Sequence, residues 1–291
     1  MDENTVSPGT DAPVHKLTRG EMLRRAGTGA GAALAASALA SMPSRSIERV
    51  AAAAAKGSIM QAKPNVVLVH GAFADASSWS AVIRRLQVAG HPVLAVQIGL
   101  TGLADDISIV RSVLAAQVGP TVLVGHSYGG MVITGAGAPH VISLVYVAAF
   151  APDAGEAVPD AVAGFPAAPG NAHYVPDSRK GFLRVDPAAY PQVFMQDVDP
   201  AEARALAATQ KPAAGAAFGA KSGTPAWRAL PSWYLVSEDD RMINPDAERK
   251  MATRIGATTI SMRGAGHAAM LSRPDEVAAA IQAAARAGAK A

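Results

Sequence analysis

Serine, histidine and a carboxylate can together break an acyl bond, and this chain carries each in a setting suited to that work. Ser127 lies in Gly125-His126-Ser127-Tyr128-Gly129, a G-x-S-x-G pattern. A serine hydroxyl is a weak nucleophile until an adjacent base takes its proton. His267 ends Arg263-Gly-Ala-Gly-His267, a loop of small residues able to carry an imidazole over the serine. A carboxylate must then hold the imidazole tautomer and stabilise the imidazolium. Asp153, Glu238, Asp239 and Asp240 compete for that part. The loop holding the last three follows the apolar run Trp233–Val236 and precedes the histidine loop by one predicted helix and one predicted strand. The predicted triad is Ser127, His267 and Asp240.

The elements that must position these residues are legible around Ser127. Thr121–Val124 is short, apolar and β-branched, as a strand covered on both faces should be, and a helical run follows over Met131–Ala138. A serine on a sharp strand-to-helix turn points its hydroxyl out above the sheet edge. The turn also sets the Tyr128 backbone N–H at a helix N-terminus, where orphan donors and the helix dipole favour an oxyanion. Upstream, Asn65–Val69 reads as a strand ending in His70-Gly71-Ala72-Phe73, and amides after such a turn can complete an oxyanion hole.

The rest of the chain repeats that rhythm. Helices are predicted over Ser77–Ala89, Asp105–Val118, Asp246–Ile255 and from Pro274 to about Ala285. Further strands are predicted over His91–Gln97, Val141–Val147, Pro231–Val236 and Thr258–Met262. Such alternation means a mostly parallel sheet with right-handed crossovers, whose sites lie beyond the carboxyl ends of the strands. His70, Ser127 and Phe150 fall at such ends. Residues 152–226 break the pattern. They are rich in Pro, Gly and Ala with scattered aromatics, and only Pro200–Gln210, capped by Asp199, reads clearly as a helix. An insertion of this kind predicts a small helical cap whose aromatics line an apolar substrate pocket.

Composition limits the alternatives. Half of the 291 residues are hydrophobic and 17% are charged, enough apolar content for one large α/β domain. There is no cysteine, which excludes disulfides, thiolate metal sites and a cysteine nucleophile. The seven histidines show no metal-ligand spacing such as H-E-x-x-H, so no metal is expected. Of 26 Lys/Arg and 23 Asp/Glu, eight and five lie in residues 1–63, so the +3 excess belongs to the tail. A neutral body argues against nucleic-acid binding. In that tail Arg24 and Arg25 precede the small-residue run Ala26–Ala40, and Ala38-Leu39-Ala40 supplies a small-x-small cleavage pattern. Residues 1–40 therefore read as an export signal, with Thr18–Arg24 like a twin-arginine signal whose second arginine is Gly20, and 41–63 as a linker. The run is too short and weakly apolar for stable membrane insertion. Export to the periplasm or medium is the expectation, with a cytoplasmic protein as the alternative.

The order Ser127, Asp240, His267 is that of the α/β-hydrolases. Over roughly residues 64–288 of a predicted domain spanning 64–291, the chain resembles their bacterial esterase branch, akin to plant methylesterases and (S)-hydroxynitrile lyases. The resemblance is carried by His70-Gly-Ala-Phe-Ala-Asp-Ala-Ser-Ser-Trp79, Gly125–Gly130, Glu238-Asp-Asp-Arg-Met-Ile-Asn-Pro245 and Gly264–His267. It implies an α/β-hydrolase fold, no cofactor, and oxyanion-hole amides from Ala72 and Tyr128, with Phe73 close by. It also implies an acid just before a basic residue with a proline further on, as Asp240-Arg241 and Pro245 provide. Phe73, His70 and Phe150 are the expected substrate-binding residues. The plant lyases have lysine after the catalytic histidine, where this chain has Ala268, which favours ester hydrolysis. The expected activity is a carboxylesterase working through an acyl-enzyme on a small apolar or aromatic ester. A lyase on the same triad and a non-catalytic ligand-binding relative are the alternatives.

Overall fold

The computed structural model describes residues 63–289. The expected export signal over 1–40, and the linker over 41–63 apart from Lys63, lie outside the described residues.

Six strands form one sheet in the order β2-β1-β3-β4-β8-β9, and every pairing is parallel. They are β1 (Asn65–Val69), β2 (Val93–Val96), β3 (Thr121–Ser127), β4 (Val141–Ala149), β8 (Ser232–Ser237) and β9 (Thr258–Met262). Three others, β5 (Tyr174–Pro176), β6 (Phe182–Val185) and β7 (Ala213–Ala214), lie outside it. The central β3 is buried along its whole length. Covering Val122, Leu123 and Val124 on both faces stabilises the sheet by roughly 1.5–3 kcal/mol per side chain.

The covering helices obey the expected stripes. A 3-10 turn over Ala76–Trp79, capped by Asp75, leads into α1 (Ser80–Val88), which buries Val82 and Leu86. Helix α2 (Leu103–Ala115) buries Leu103, Val110 and Leu114 and packs on α3 (Tyr128–Gly135), which is buried throughout. Between β4 and β8 run α4 (Val158–Ala161), α5 (Tyr190–Val193), α6 (Pro200–Ala208) and α7 (Gly215–Gly219). Helix α8 (Pro245–Arg254) packs on β8, and α9 (Ala269–Ser272) precedes α10 (Pro274–Gly288), which packs on α1 and β4. Helix α10 begins with proline and carries Asp275 and Glu276 in its first turn and Arg286 in its last, as the helix dipole favours. Among the described residues no helix is long and apolar enough to cross a membrane.

Two expectations shift. The strand predicted to stop at Val124 runs on to Ser127, and the helix predicted from Met131 starts at Tyr128 and ends at Gly135. The residues of the G-x-S-x-G turn are thus themselves strand and helix, with no intervening loop. The cap holds more than helices: β5, β6 and β7 form an antiparallel sheet of three strands. Asp199 caps α6 as expected, its side chain accepting from the Ala201 and Glu202 amides.

Candidate active site

Ser127 ends β3 with φ 50° and ψ −123°, a conformation strained for a residue with a side chain. The turn is sharp enough that a Cβ on Gly125 would lie 2.5 Å from the Gly129 carbonyl oxygen, so only glycine closes it. The neighbouring loop after β1 approaches as tightly: a Cβ on Gly71 would sit 2.7 Å from Ser127 Cβ. Ala72 and Phe73 follow, and both border the cavity that contains Ser127. Tyr128 is the first residue of α3, so its amide has no intrahelical acceptor. Its side chain turns inward instead, donating from Oη to Asp106 Oδ2 at 2.9 Å. Burial raises both groups above their usual ranges. Ala72 thus lines the cavity with Ser127, and Tyr128 follows the serine directly as the first residue of α3.

The loop after β8 buries Asp240 and engages both of its carboxylate oxygens. Oδ1 accepts the Met242 and Ile243 amides at 2.6 and 2.9 Å. Oδ2 accepts from His267 Nδ1 at 2.6 Å. Asp240 and His267 are 5% and 1% exposed, so this bond is shielded from water. With Nδ1 donating, Nε2 of His267 carries the lone pair needed to take a proton. Among the described residues no hydrogen bond engages the Ser127 hydroxyl, which shares the cavity wall with His267. Among the described residues none of the competing carboxylates bonds to His267, and two of the three are occupied elsewhere. Asp153 pairs with Arg228 at 2.6 Å, Glu238 pairs with Arg249 and Ser261, and Asp239 makes only backbone bonds.

Several contacts hold the histidine loop. His126 Nε2 lies 2.9 Å from the His267 carbonyl oxygen, and burial drives the His126 imidazole well below its usual range. It is therefore neutral and donates through Nε2. Asp197 of the cap accepts the Gly266 amide at 2.9 Å. Phe194 of the cap meets the His267 ring edge-on at 4.7 Å and stacks on Tyr190, also at 4.7 Å. Tyr190 Oη in turn donates to the Phe73 carbonyl at 3.2 Å. One cap segment thus braces both the imidazole and the strained Phe73, whose φ is 62°.

The cavity has a volume of about 440 Å³. Phe150, Val162, Phe165, Phe194, Phe218 and Met242 form much of its wall, and among the described residues no acidic or basic side chain except His267 lines it. Of the residues predicted to bind substrate, Phe73 and Phe150 border it. His70 does not. Its ring is fully buried, with Nδ1 donating to the Gly71 carbonyl at 2.8 Å and Nε2 accepting the Ile98 amide at 3.2 Å. Burial holds its imidazole down, to about 4. It anchors the loop carrying Ala72 rather than meeting a substrate. Sequence reasoning passed over His126, Asp197 and Glu248. Glu248 alone left a trace: its place on the α8 stripe with Met251 and Ala252 is unusual for a charged residue. Among the described residues no cluster of His, Asp and Glu is arranged to hold a metal ion.

Known proteins resemble this chain in sequence and fold. The model of the alpha/beta hydrolase family matches residues 66–280. A carbendazim hydrolyzing esterase from Nocardioides sp. (strain SG-4G) is 38% identical over 109 residues, 32% of this chain and 45% of that protein. The match thus spans less than half of that relative. A probable hydrolase from Phoma sp. is 23% identical over 237 residues, 74% of this chain and 95% of the other. The crystal structure of a pyrethroid hydrolase from Sphingobium faniae JZ-2 superposes with a TM-score of 0.65 at 22% identity, covering 78% of this chain and 99% of that one. An Arabidopsis methylesterase structure gives 0.63 at 19%, covering 77% and 99%. At these identities the structural likeness speaks to the fold.

Proposed function

We propose that this chain, which belongs to the alpha/beta hydrolase family, is a serine esterase acting on small, uncharged, apolar or aromatic esters. The observation that carries the reading is the His267–Asp240 bond of 2.6 Å, set beside a strained serine in one apolar cavity. Ser127 Oγ attacks the ester carbonyl while His267 Nε2 takes its proton. The oxyanion that forms is met by the Ala72 and Tyr128 amides, fixed in place by backbone geometry before the reaction starts. Asp240 stabilises the imidazolium through Nδ1. His267 then protonates the departing alcohol, and water repeats the sequence on the acyl-enzyme. The mostly apolar wall, whose polar members Asn171, Tyr174 and Asn244 are uncharged, selects the substrate, since a charged group would lose its hydration there with no opposite charge to meet it. The names of the relatives, a carbendazim hydrolyzing esterase and a methylesterase among them, support ester cleavage as the reaction class.

The test is paired. A serine-reactive fluorophosphonate should label the wild-type protein and not Ser127→Ala, and that variant should lose at least about 10³-fold in p-nitrophenyl ester turnover while its thermal unfolding is retained. Equal labelling of the two proteins, or turnover by Ser127→Ala within tenfold of wild type, excludes Ser127 as the nucleophile.

A further inference from the structure

Glu248 is wholly buried on the inner stripe of α8, beside Ala247, Met251 and Ala252. A carboxylate there would need a cation, because an isolated buried charge is strongly unfavourable. The nearby cations are committed elsewhere. Arg249 reaches Glu238 and Asp246, Arg254 pairs with Glu156, Arg241 donates to the Gln192 carbonyl, and Lys250 lies over the Phe165 ring. What faces Glu248 is neutral or acidic: the Ser237 amide, Asp240, Glu238 and the Tyr234 phenol. The phenol already donates to the Ala149 carbonyl. Oε2 of Glu248 accepts the Ser237 amide at 3.1 Å. Oε1 is buried, and no donor in the described residues reaches it. The side chain lies within hydrogen-bond reach of Asp240.

Two adjacent carboxylates cannot bond to one another, and a proton on Oε1 resolves both problems at once. We infer that Glu248 is a positioning residue: its carboxyl is protonated and donates a hydrogen bond to the Asp240 carboxylate, holding it against His267. This rests on the reading of Asp240 as the acid of the triad. Burial and the two acidic neighbours push the Glu248 carboxyl well above the usual carboxylate range, in the same direction. A carboxylic acid bonded to a carboxylate makes a strong, charge-assisted hydrogen bond. It keeps the negative charge on Asp240, where the imidazolium meets it, and ties α8 to the acid loop. The site would then hold one negative charge where the residue types suggest two.

Three variants and two readouts decide it. Glu248→Gln keeps the shape, accepts the Ser237 amide through its oxygen and donates to Asp240 through its amide. It should keep kcat/KM within about threefold and leave the midpoint of the ascending pH profile in place. Glu248→Met fills the space with no donor and should lower kcat by roughly tenfold or more with little change in KM, as loss of a hydrogen bond to a charged group predicts. The second readout is independent of turnover. A carboxyl whose folded value is raised takes up a proton on folding, so its contribution is fully present below the unfolded value and fades as pH rises. Between about pH 5 and about pH 8 wild type should therefore lose stability relative to Glu248→Gln, and the infrared band of a protonated carboxyl should be missing from the variant. An ionised Glu248 would give the opposite: a pH midpoint lowered by Glu248→Gln, no pH-dependent gap in stability, and no band to remove. Full activity in Glu248→Met would show the bond to Asp240 to be idle and end the positioning role. Asp240→Asn separates the two ideas: if it stays fully active while the band and the stability gap are present, the triad reading fails and the proton on Glu248 stands.

Discussion

Replacing Asp240 by asparagine tests the site through a change of one atom. The loop decides which way the new amide faces. Oδ1 of Asp240 receives the Met242 and Ile243 amides, and Oδ2 receives His267 Nδ1. An amide has only one accepting end. With its oxygen on the two backbone donors, its NH₂ meets His267 Nδ1, which must then accept. The ring proton is driven to Nε2, the nitrogen that has to take the Ser127 proton. Reversing the amide restores the tautomer but sets NH₂ against two buried N–H groups. Leaving those unpaired costs about 1–3 kcal/mol each, so the unproductive orientation is favoured by roughly 2–6 kcal/mol. At about 1.4 kcal/mol per factor of ten, kcat/KM should fall by about 30-fold to about 10⁴-fold; the same substitution in a serine protease costs about 10⁴ in kcat. The assay is kcat/KM on a p-nitrophenyl ester, with thermal unfolding to confirm the fold and nitrogen NMR of the ring to report the tautomer. Asp153→Asn and Glu238→Gln serve as controls, since their carboxylates pair with Arg228 and Arg249 away from the cavity, and they should stay within a few-fold of wild type. An Asp240→Asn enzyme within tenfold of wild type, with Asp153→Asn the crippled one, would refute the assignment and move the acid to the end of β4.

Acid should loosen the loop behind the oxyanion amides. His70 is held at about 4 against 6.5 in the free side chain, chiefly because it is buried and also because the Lys211 ammonium opposes a second positive charge. The folded value is the lower one, so the unfolded chain binds the proton first. This stability is whole above 6.5 and fades as pH falls toward 4, by about 3 kcal/mol in all. His126 acts with the same sign. Urea unfolding of wild type and of His70→Asn at about pH 7 and about pH 4.5 separates it from the opposite trend of Glu248, and a wild type that loses no more stability than the variant refutes it. The uncharged cavity wall predicts a second contrast: an aryl ester bearing a carboxylate should fall at least about 10²-fold below its neutral methyl-capped analogue in kcat/KM, and equal rates would disprove selection by the wall.

What the sequence determined by itself is what neighbours along the chain decide. The strand, turn and helix around Ser127 follow from β-branched residues, glycines at both sides of the serine and an apolar run beyond, all within a dozen positions. The alternation of strands and helices, and with it the parallel sheet, is legible for the same reason. So is the order of serine, acid and histidine. Short-range pattern ran out in the cap, where helices of four or five residues and strands of two to four are too short to show a period. It ran out again where a residue's role depends on what lies across the fold. His70 has the right type at the right strand end, yet its ring nitrogens are spent on Gly71 and on Ile98, 28 positions away. Asp240 stands beside Glu238 and Asp239 in sequence, and only the packing of β8, α8 and the histidine loop buries it against His267, 27 positions on. Glu248 stands on the apolar stripe of α8, but only the sheet packed against that helix buries its carboxyl. Burial, and the pairing of groups distant in the chain, set whether a side chain is charged and which atom it offers, and those are properties of the tertiary structure alone.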